Sequence, residues 1–232
     1  MATSLDRTPS LFMYSDEMGR FEFGPDHPFK PERATKTFDL CNRYGVLNYP
    51  WMQVVNPEPL DAGLLALYHE PEYLALLREA SKGEVRLEML ACGLGTQDTP
   101  IIKGIYEWSL RACGGTHHAA MEILSGRAQV AFNPLGGFHH AMPGNAEGFC
   151  YLNDIVIAIL DALRVHPGIK LVGIFSQGNA DVARYAQVYD WYLHDFENRK
   201  MVLVDKIVHS ARMPQDQAAA LFERAYQVGL SL

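Results

Sequence analysis

Cysteine is scarce in this chain: four in 232 residues, Cys41, Cys92, Cys113 and Cys150, with no Cys-x-x-Cys pair among them. That scarcity excludes a disulfide-stapled scaffold and a thiolate metal knuckle, and it reads as reduced thiols. Long apolar runs are also missing. No stretch approaches the roughly 20 residues that a bilayer-spanning helix needs, and Met1 to Arg7 carry no apolar core of a leader. Positive charge is the third shortage. Lys and Arg number 20 against 27 acidic residues, a net charge of −7, and no basic stripe stands out. A phosphate-binding surface needs clustered cations, so nucleic acid is excluded as a partner. The expectation is a cytoplasmic protein with neither membrane nor nucleic acid as a target.

The chain does have the means to fold. Its hydrophobic content of 48% is ordinary for a globular protein, and the length suits one domain or one domain with an appendage. Leu11 to Tyr14 reads as a first strand, and a helix follows from about Pro31, with Ala34, Phe38, Leu40 and Cys41 in helical period. Leu60 to Tyr68 and Pro71 to Ala80 read as helices; Pro71 suits a first turn, and Tyr73, Leu74 and Leu77 share a face. A longer helix fits Gly104 to Leu124, and Gln129 to Phe132 reads as a strand. Helices alternating with short apolar runs that lack hairpin turns indicate an open parallel α/β sheet flanked by helices, with the site at the carboxyl ends of its strands.

Residues 136 to 154 say most about chemistry: Gly-Gly-Phe-His-His-Ala-Met-Pro-Gly-Asn-Ala-Glu-Gly-Phe-Cys-Tyr-Leu-Asn-Asp. The adjacent His139 and His140 follow a strand in a glycine-rich loop, where backbone can approach a ligand closely. Imidazole titrates near neutrality, so such a pair can divide the roles of base and acid. His117 and His118 fall inside the long helix, where adjacent side chains diverge, and they receive no role. Cys150, between Phe149 and Tyr151, reads as a small buried hydrophobe beside the site.

The His pair, the Gly148-Phe149-Cys150 turn and the Asn153-Asp154 that follows resemble, in order, the signature of the histone deacetylase and acetoin-utilisation deacetylase family. The likeness runs from about residue 11 to residue 172, so the domains divide as 1–172 and a divergent helix-rich tail, 173–232. It implies the arginase/deacetylase-like fold, cut short after its early strands. It also implies a zinc-dependent amidohydrolase that removes acetyl or small acyl groups from an amine, such as acetyl-lysine or an acetylpolyamine. His140 is then the general base and later the acid, with His139 assisting. Gly148 and Phe149 form part of the tube around the acylated side chain, whose methylene stem suits an aromatic wall. Asp98, in the rim-like Gly93-to-Pro100 segment, would accept hydrogen bonds from substrate backbone. Arg33, closing His27-Pro28-x-x-Pro31-x-Arg33, would lie by an internal channel. Without the family, Asp98 before Thr-Pro is turn chemistry and Arg33 a solvated helix-start charge.

The resemblance breaks where it implies an Asp-x-Asp-x-His strand, whose second Asp and His bind zinc and whose first Asp lies behind the catalytic histidines. The positions counted on from Asn153-Asp154 are Phe175, Gln177 and Asn179, and neutral amides are poor zinc ligands. Zinc is the cofactor the family implies, held weakly or not at all by this chain. A second register, with Asp205 and His209 at the end of Met201 to His209, requires a long insertion and reads better as a buried strand. The tail is expected as a helix from Ala180 to Phe196 capped by Asn179, a strand Val202 to Val204 and a helix from Pro214 to Val228. Three readings follow: a deacetylase-family enzyme, a non-catalytic protein that binds acylated small molecules or acyl-lysine peptides, or an inactive family fragment. Self-association through an uncovered strand edge is expected alongside.

Overall fold

The computed structural model describes residues 8–198 and 201–231. Its two compact units meet in sequence at Ala162 and Leu163, ten residues before the division at 172 and 173 read from the sequence.

The first unit opens with β1 (Ser10–Met13) and a single turn, α1 (Asp16–Gly19), then α2 (Glu32–Arg43) and β2 (Met52–Val55). A short 3-10 turn, Ala62–Leu67, precedes α3 (Pro71–Ser81) and α4 (Leu87–Ala91), where a full helix over Leu60 to Tyr68 is expected from the sequence. The long α5 (Ile105–Leu124), β3 (Val130–Phe132) and α6 (Asp154–Val165) complete it. Three strands pair in parallel in the order β2-β1-β3, with Ser10 opposite both Met52 and Val130. Leu11, Phe12 and Met13 are all buried, the unbroken apolar run of a central parallel strand covered on both faces.

The helices bury the faces that their spacing predicts. On α3 these residues are Tyr73, Leu74, Leu77 and Ala80; on α5, Ile105, Trp108, Ala112, Gly115 and Ala119, although Ile123 near its end is exposed. Fully buried side chains such as Leu77, Ile105 and Ile157 each contribute on the order of 2 kcal/mol by leaving water. The fold class is therefore the open parallel α/β arrangement expected, and β3 carries its chain end straight into the His139–His140 loop.

The second unit holds β4 (Lys170–Gln177), α7 (Ala186–Asn198), β5 (Val202–Ser210) and α8 (Gln215–Ser231). β4 and β5 are parallel with one irregularity between Leu171 and Val172, and α7 makes the crossover that a parallel pair requires. α7 starts six residues later than the sequence suggests. Asn179 does not cap it; its Oδ1 instead accepts the Asp181 N–H, and Asp181 Oδ1 accepts the Ala183 N–H, so these residues are spent in turns. β5 is longer than expected because Lys206 to Ser210 continue the ladder opposite Gly173 to Gln177.

Candidate active site

The His pair stands on a loop pinned from beneath. Asn133, just after β3, donates from Nδ2 to Thr116 Oγ1 on α5 at 2.9 Å, and its Oδ1 accepts the Leu135 N–H at 3.2 Å. Gly115 allows this approach, since a Cβ there would lie 2.8 Å from Asn133 Nδ2. The Thr116 hydroxyl donates onward to Asp154 Oδ2. Asp154 is completely buried in the first turn of α6, where a carboxylate also meets the positive end of the helix dipole. Its Oδ2 accepts the Gly137 N–H at 2.9 Å and its Oδ1 accepts the Phe138 N–H at 2.7 Å. Burial pushes its pKa up, while the hydrogen bonds from Thr116, Gly137, Phe138 and Ile155 pull it back down.

Asn153, one residue earlier, caps α6 by accepting the Val156 N–H at 3.1 Å, and donates from Nδ2 to the Ala141 carbonyl at 2.9 Å. Its own N–H donates to His69 Nε2 at 3.0 Å, and His69 Nδ1 is 3.2 Å from the Pro143 carbonyl. Burial pushes the His69 pKa down to about 4, so this ring is neutral at physiological pH with its proton on Nδ1. His69 thus ties the Pro143 end of the loop to Asn153, while Asp154 holds its Gly137–Phe138 end. From sequence His69 reads only as part of a structural His-x-x-x-Tyr-Leu motif with Tyr73 and Leu74, and Asp154 only as the end of the Asn153-Asp154 signature.

His139 and His140 are both exposed, with ring centres 4.3 Å apart. His139 Nδ1 lies 2.9 Å from the Gly137 carbonyl. His140 packs on the Glu147–Cys150 turn, which is closed by reciprocal bonds between those two residues: Glu147 N–H to the Cys150 carbonyl at 3.1 Å and Cys150 N–H to the Glu147 carbonyl at 2.8 Å. Gly148 (φ 52°) and Phe149 (φ 72°) both occupy the left-handed region, as the two central residues of a type I′ turn must. Among the described residues Phe149 is the one non-glycine with positive φ. Left-handed backbone at a non-glycine costs on the order of 1–2 kcal/mol, and Phe149 bears that cost beside the histidine pair.

The Phe149 ring meets His27 at 5.0 Å edge-on and Phe29 at 6.4 Å in a stack, so an aromatic wall stands next to the His pair. His27 is buried; its Nδ1 accepts the Phe29 N–H at 3.1 Å, leaving Nε2–H to donate to the Asp98 carbonyl at 3.1 Å. That bond ties the His27-Pro28 segment to the rim. Asp98 itself is exposed and lines, with Thr96, Gln97, Ala146, Glu147 and Gly148, a cavity of about 310 Å³. The structure thus brings Asp98, Gly148, Phe149 and His140 into one neighbourhood.

Arg33 lies in the first turn of α2 with an exposed side chain. Cys150 is buried with Sγ donating to the Gly148 carbonyl, and burial pushes its thiol up to about 11, which favours the neutral thiol at neutral pH. His117 on α5 pairs with the buried Asp161 on α6 at 2.7 Å, a contact between helices, and His118 lies 3.8 Å from Glu122 one turn along α5.

The positions where the resemblance implies zinc ligands do not fit the metal. Gln177 is buried with its amide held by three hydrogen bonds: Nε2 donates to the carbonyls of Asn179 (3.1 Å) and Asp181 (2.7 Å), and Oε1 accepts the Tyr189 hydroxyl at 2.8 Å. Phe175 stacks on Tyr189 at 4.2 Å. In the other register, Asp205 is held by Arg224 and His209 lies beside Phe222 at 6.0 Å. Among the described residues no three His, Cys, Asp or Glu side chains converge as a metal site requires.

A parallel α/β sheet that delivers a His-His pair, an aromatic I′ turn and a hydrogen-bonded rim loop defines a deacetylase-type scaffold. Comparison with known proteins agrees: the histone deacetylase domain family matches residues 27–175, and the chain belongs to that family. It is 35% identical over 167 residues to "Histone deacetylase 3" of Oryza sativa subsp. japonica, covering 70% of this chain and 32% of that protein. It is 31% identical over 172 residues to "Histone deacetylase RPD3" of Saccharomyces cerevisiae, covering 73% and 39% respectively. Human "Histone deacetylase 1" is 32% identical over 171 residues, 72% of this chain and 35% of that protein. The chain therefore spans about a third of the length of these curated relatives. Among the described residues no helix is long and apolar enough to cross a membrane.

Proposed function

We propose that this chain is a deacetylase-family amidohydrolase domain that binds an acylated primary amine, an acyl-lysine peptide or an acylpolyamine, along Phe149 and presents it to His139 and His140. The observation that carries the reading is the pinned His pair beside an aromatic left-handed turn. In the reaction, water adds to the amide carbonyl and gives a proton to His140. The C–N bond breaks as His140 returns that proton to the departing nitrogen, leaving a carboxylic acid and an amine, which exchange a proton to become carboxylate and ammonium. Asp98 at the rim accepts hydrogen bonds from the ligand's backbone or amine. Zinc, the family's usual Lewis acid, finds no ligand set among the described residues, and no step here depends on it.

A second reading, a non-catalytic binder of the same ligands, is favoured by one observation: the Gln177 amide stands where the resemblance implies a metal ligand and makes three structural hydrogen bonds there. The test is calorimetric binding of an Nε-acetyl-lysine peptide by the whole chain, alongside release of acetate. Binding that His140→Ala and Phe149→Ala weaken supports the site. Acetate release lost in His140→Ala selects the enzyme; binding without release selects the binder; neither binding nor release refutes both readings.

A further inference from the structure

The resemblance implies a carboxylate behind the catalytic histidines, on the strand where this chain has Phe175. A carboxylate does support the His loop here, from another element. Asp154 Oδ1 accepts the Phe138 N–H at 2.7 Å. The carbonyl of that same peptide group, Gly137 C=O, faces His139 Nδ1 at 2.9 Å and also receives the His139 backbone N–H at 2.9 Å. A carbonyl only accepts, so Nδ1 must carry the proton. An amide whose N–H is bound by a buried carboxylate is polarised, and its carbonyl becomes a better acceptor at the far end. The carboxylate is itself fixed by the Asn133–Thr116 chain and by the Gly137 N–H.

We infer that Asp154 is the positioning carboxylate of the acid–base loop: acting through the Gly137–Phe138 peptide, it holds His139 as the Nδ1–H tautomer and leaves Nε2 as the free basic nitrogen. No proton crosses the peptide. The carboxylate fixes orientation and tautomer, as a second partner does for any imidazole that must present one nitrogen. The inference takes its purpose from the proposed function, but its test needs neither ligand nor turnover.

The experiment is nitrogen-15 NMR of the histidines in the ligand-free whole chain above their titration range. His139 is expected in the Nδ1–H form, and a through-hydrogen-bond coupling should connect the Phe138 amide nitrogen to the Asp154 carboxyl carbon. In Asp154→Asn the Nε2–H form of His139 should rise severalfold while His117, on α5, keeps its spectrum. An Nε2–H form in the parent chain overturns the inference. So does a folded Asp154→Asn with a lower melting temperature and an unchanged tautomer, since that is a structural role only. Should Asp154→Asn not fold, the coupling in the parent chain decides, and its absence overturns the inference. A shifted tautomer in a chain that binds no acetyl-lysine peptide refutes the proposed function while sustaining the role of Asp154.

Discussion

Gly148 lies so close beneath the His140 imidazole that a Cβ built on it would sit 2.8 Å from the ring's Cγ and 3.0 Å from its Cδ2. The residue thus serves twice, as a turn position at φ 52° and as the floor on which the ring rests. Gly148→Ala has to adopt left-handed backbone, at roughly 1–2 kcal/mol, and also displace His140. The expected outcome is a modest fall in melting temperature with more than tenfold weaker binding of an acetyl-lysine peptide. Unchanged affinity would detach the His140 position from the site.

Phe149 permits stability and binding to be separated. At φ 72° it bears the left-handed cost that Gly148 avoids, and its ring contacts His27 and Phe29. Phe149→Ala removes the ring and keeps the strained backbone; Phe149→Gly removes both. The glycine variant should therefore be more stable than the alanine variant by about 1 kcal/mol in urea denaturation. Both should lose ligand affinity to the same extent, because binding follows the ring and not the backbone. Equal stabilities would mean the turn is relaxed.

His69 sets a pH window. Its pKa is about 4 in the folded chain against the ordinary 6.5, because burial opposes the charged ring. Above pH 6.5 both folded and unfolded forms are neutral, and the bonds to Asn153 and Pro143 count in full. As pH falls from 6.5 towards 4, the unfolded chain takes up a proton that the folded chain refuses, so stability drops by about 3 kcal/mol across that interval. Denaturant melts from pH 7 to 4 should show this loss, and His69→Gln, though less stable at pH 7, should show a shallower one. Parallel slopes would assign the acid sensitivity to other groups.

Much of this was legible in the sequence because it depends on period and order. The buried faces of α3 and α5 repeat at helical spacing, and β3 followed by glycines and the His pair reads as strand then loop. β2 escaped notice because Gln53 and Val54 are exposed in a four-residue edge strand, which leaves neither an apolar run nor clean alternation. The full length of β5 was hidden by Asp205, Lys206 and His209, whose polarity is matched by Arg224, Asp190 and the ring of Phe222 far along the chain. Asp154 was visible only as part of a motif. That its two oxygens gather Thr116, Gly137 and Phe138 is a three-dimensional fact, since those donors come from α5 and from the loop after β3.

Zinc binding tests the departure from the family most directly. After dialysis, elemental analysis of the whole chain should return well under one zinc per molecule. Zinc is held by carboxylate, thiolate or imidazole, and a neutral amide supplies neither the charge nor the basicity of these. Gln177 Oε1 already accepts from Tyr189, its Nε2 donates twice, and Asn179 Oδ1 accepts the Asp181 N–H. Reorienting the buried Gln177 amide towards a metal would break these bonds, at roughly 1 kcal/mol or more for each bond lost, and the half-buried Asn179 would give up its turn, in return for weak neutral ligands. Gln177→Ala should therefore destabilise the second unit and leave metal content unaltered. One tightly held zinc per chain, released by substitution at Gln177 or Asn179, would show that the strand still serves as a metal site.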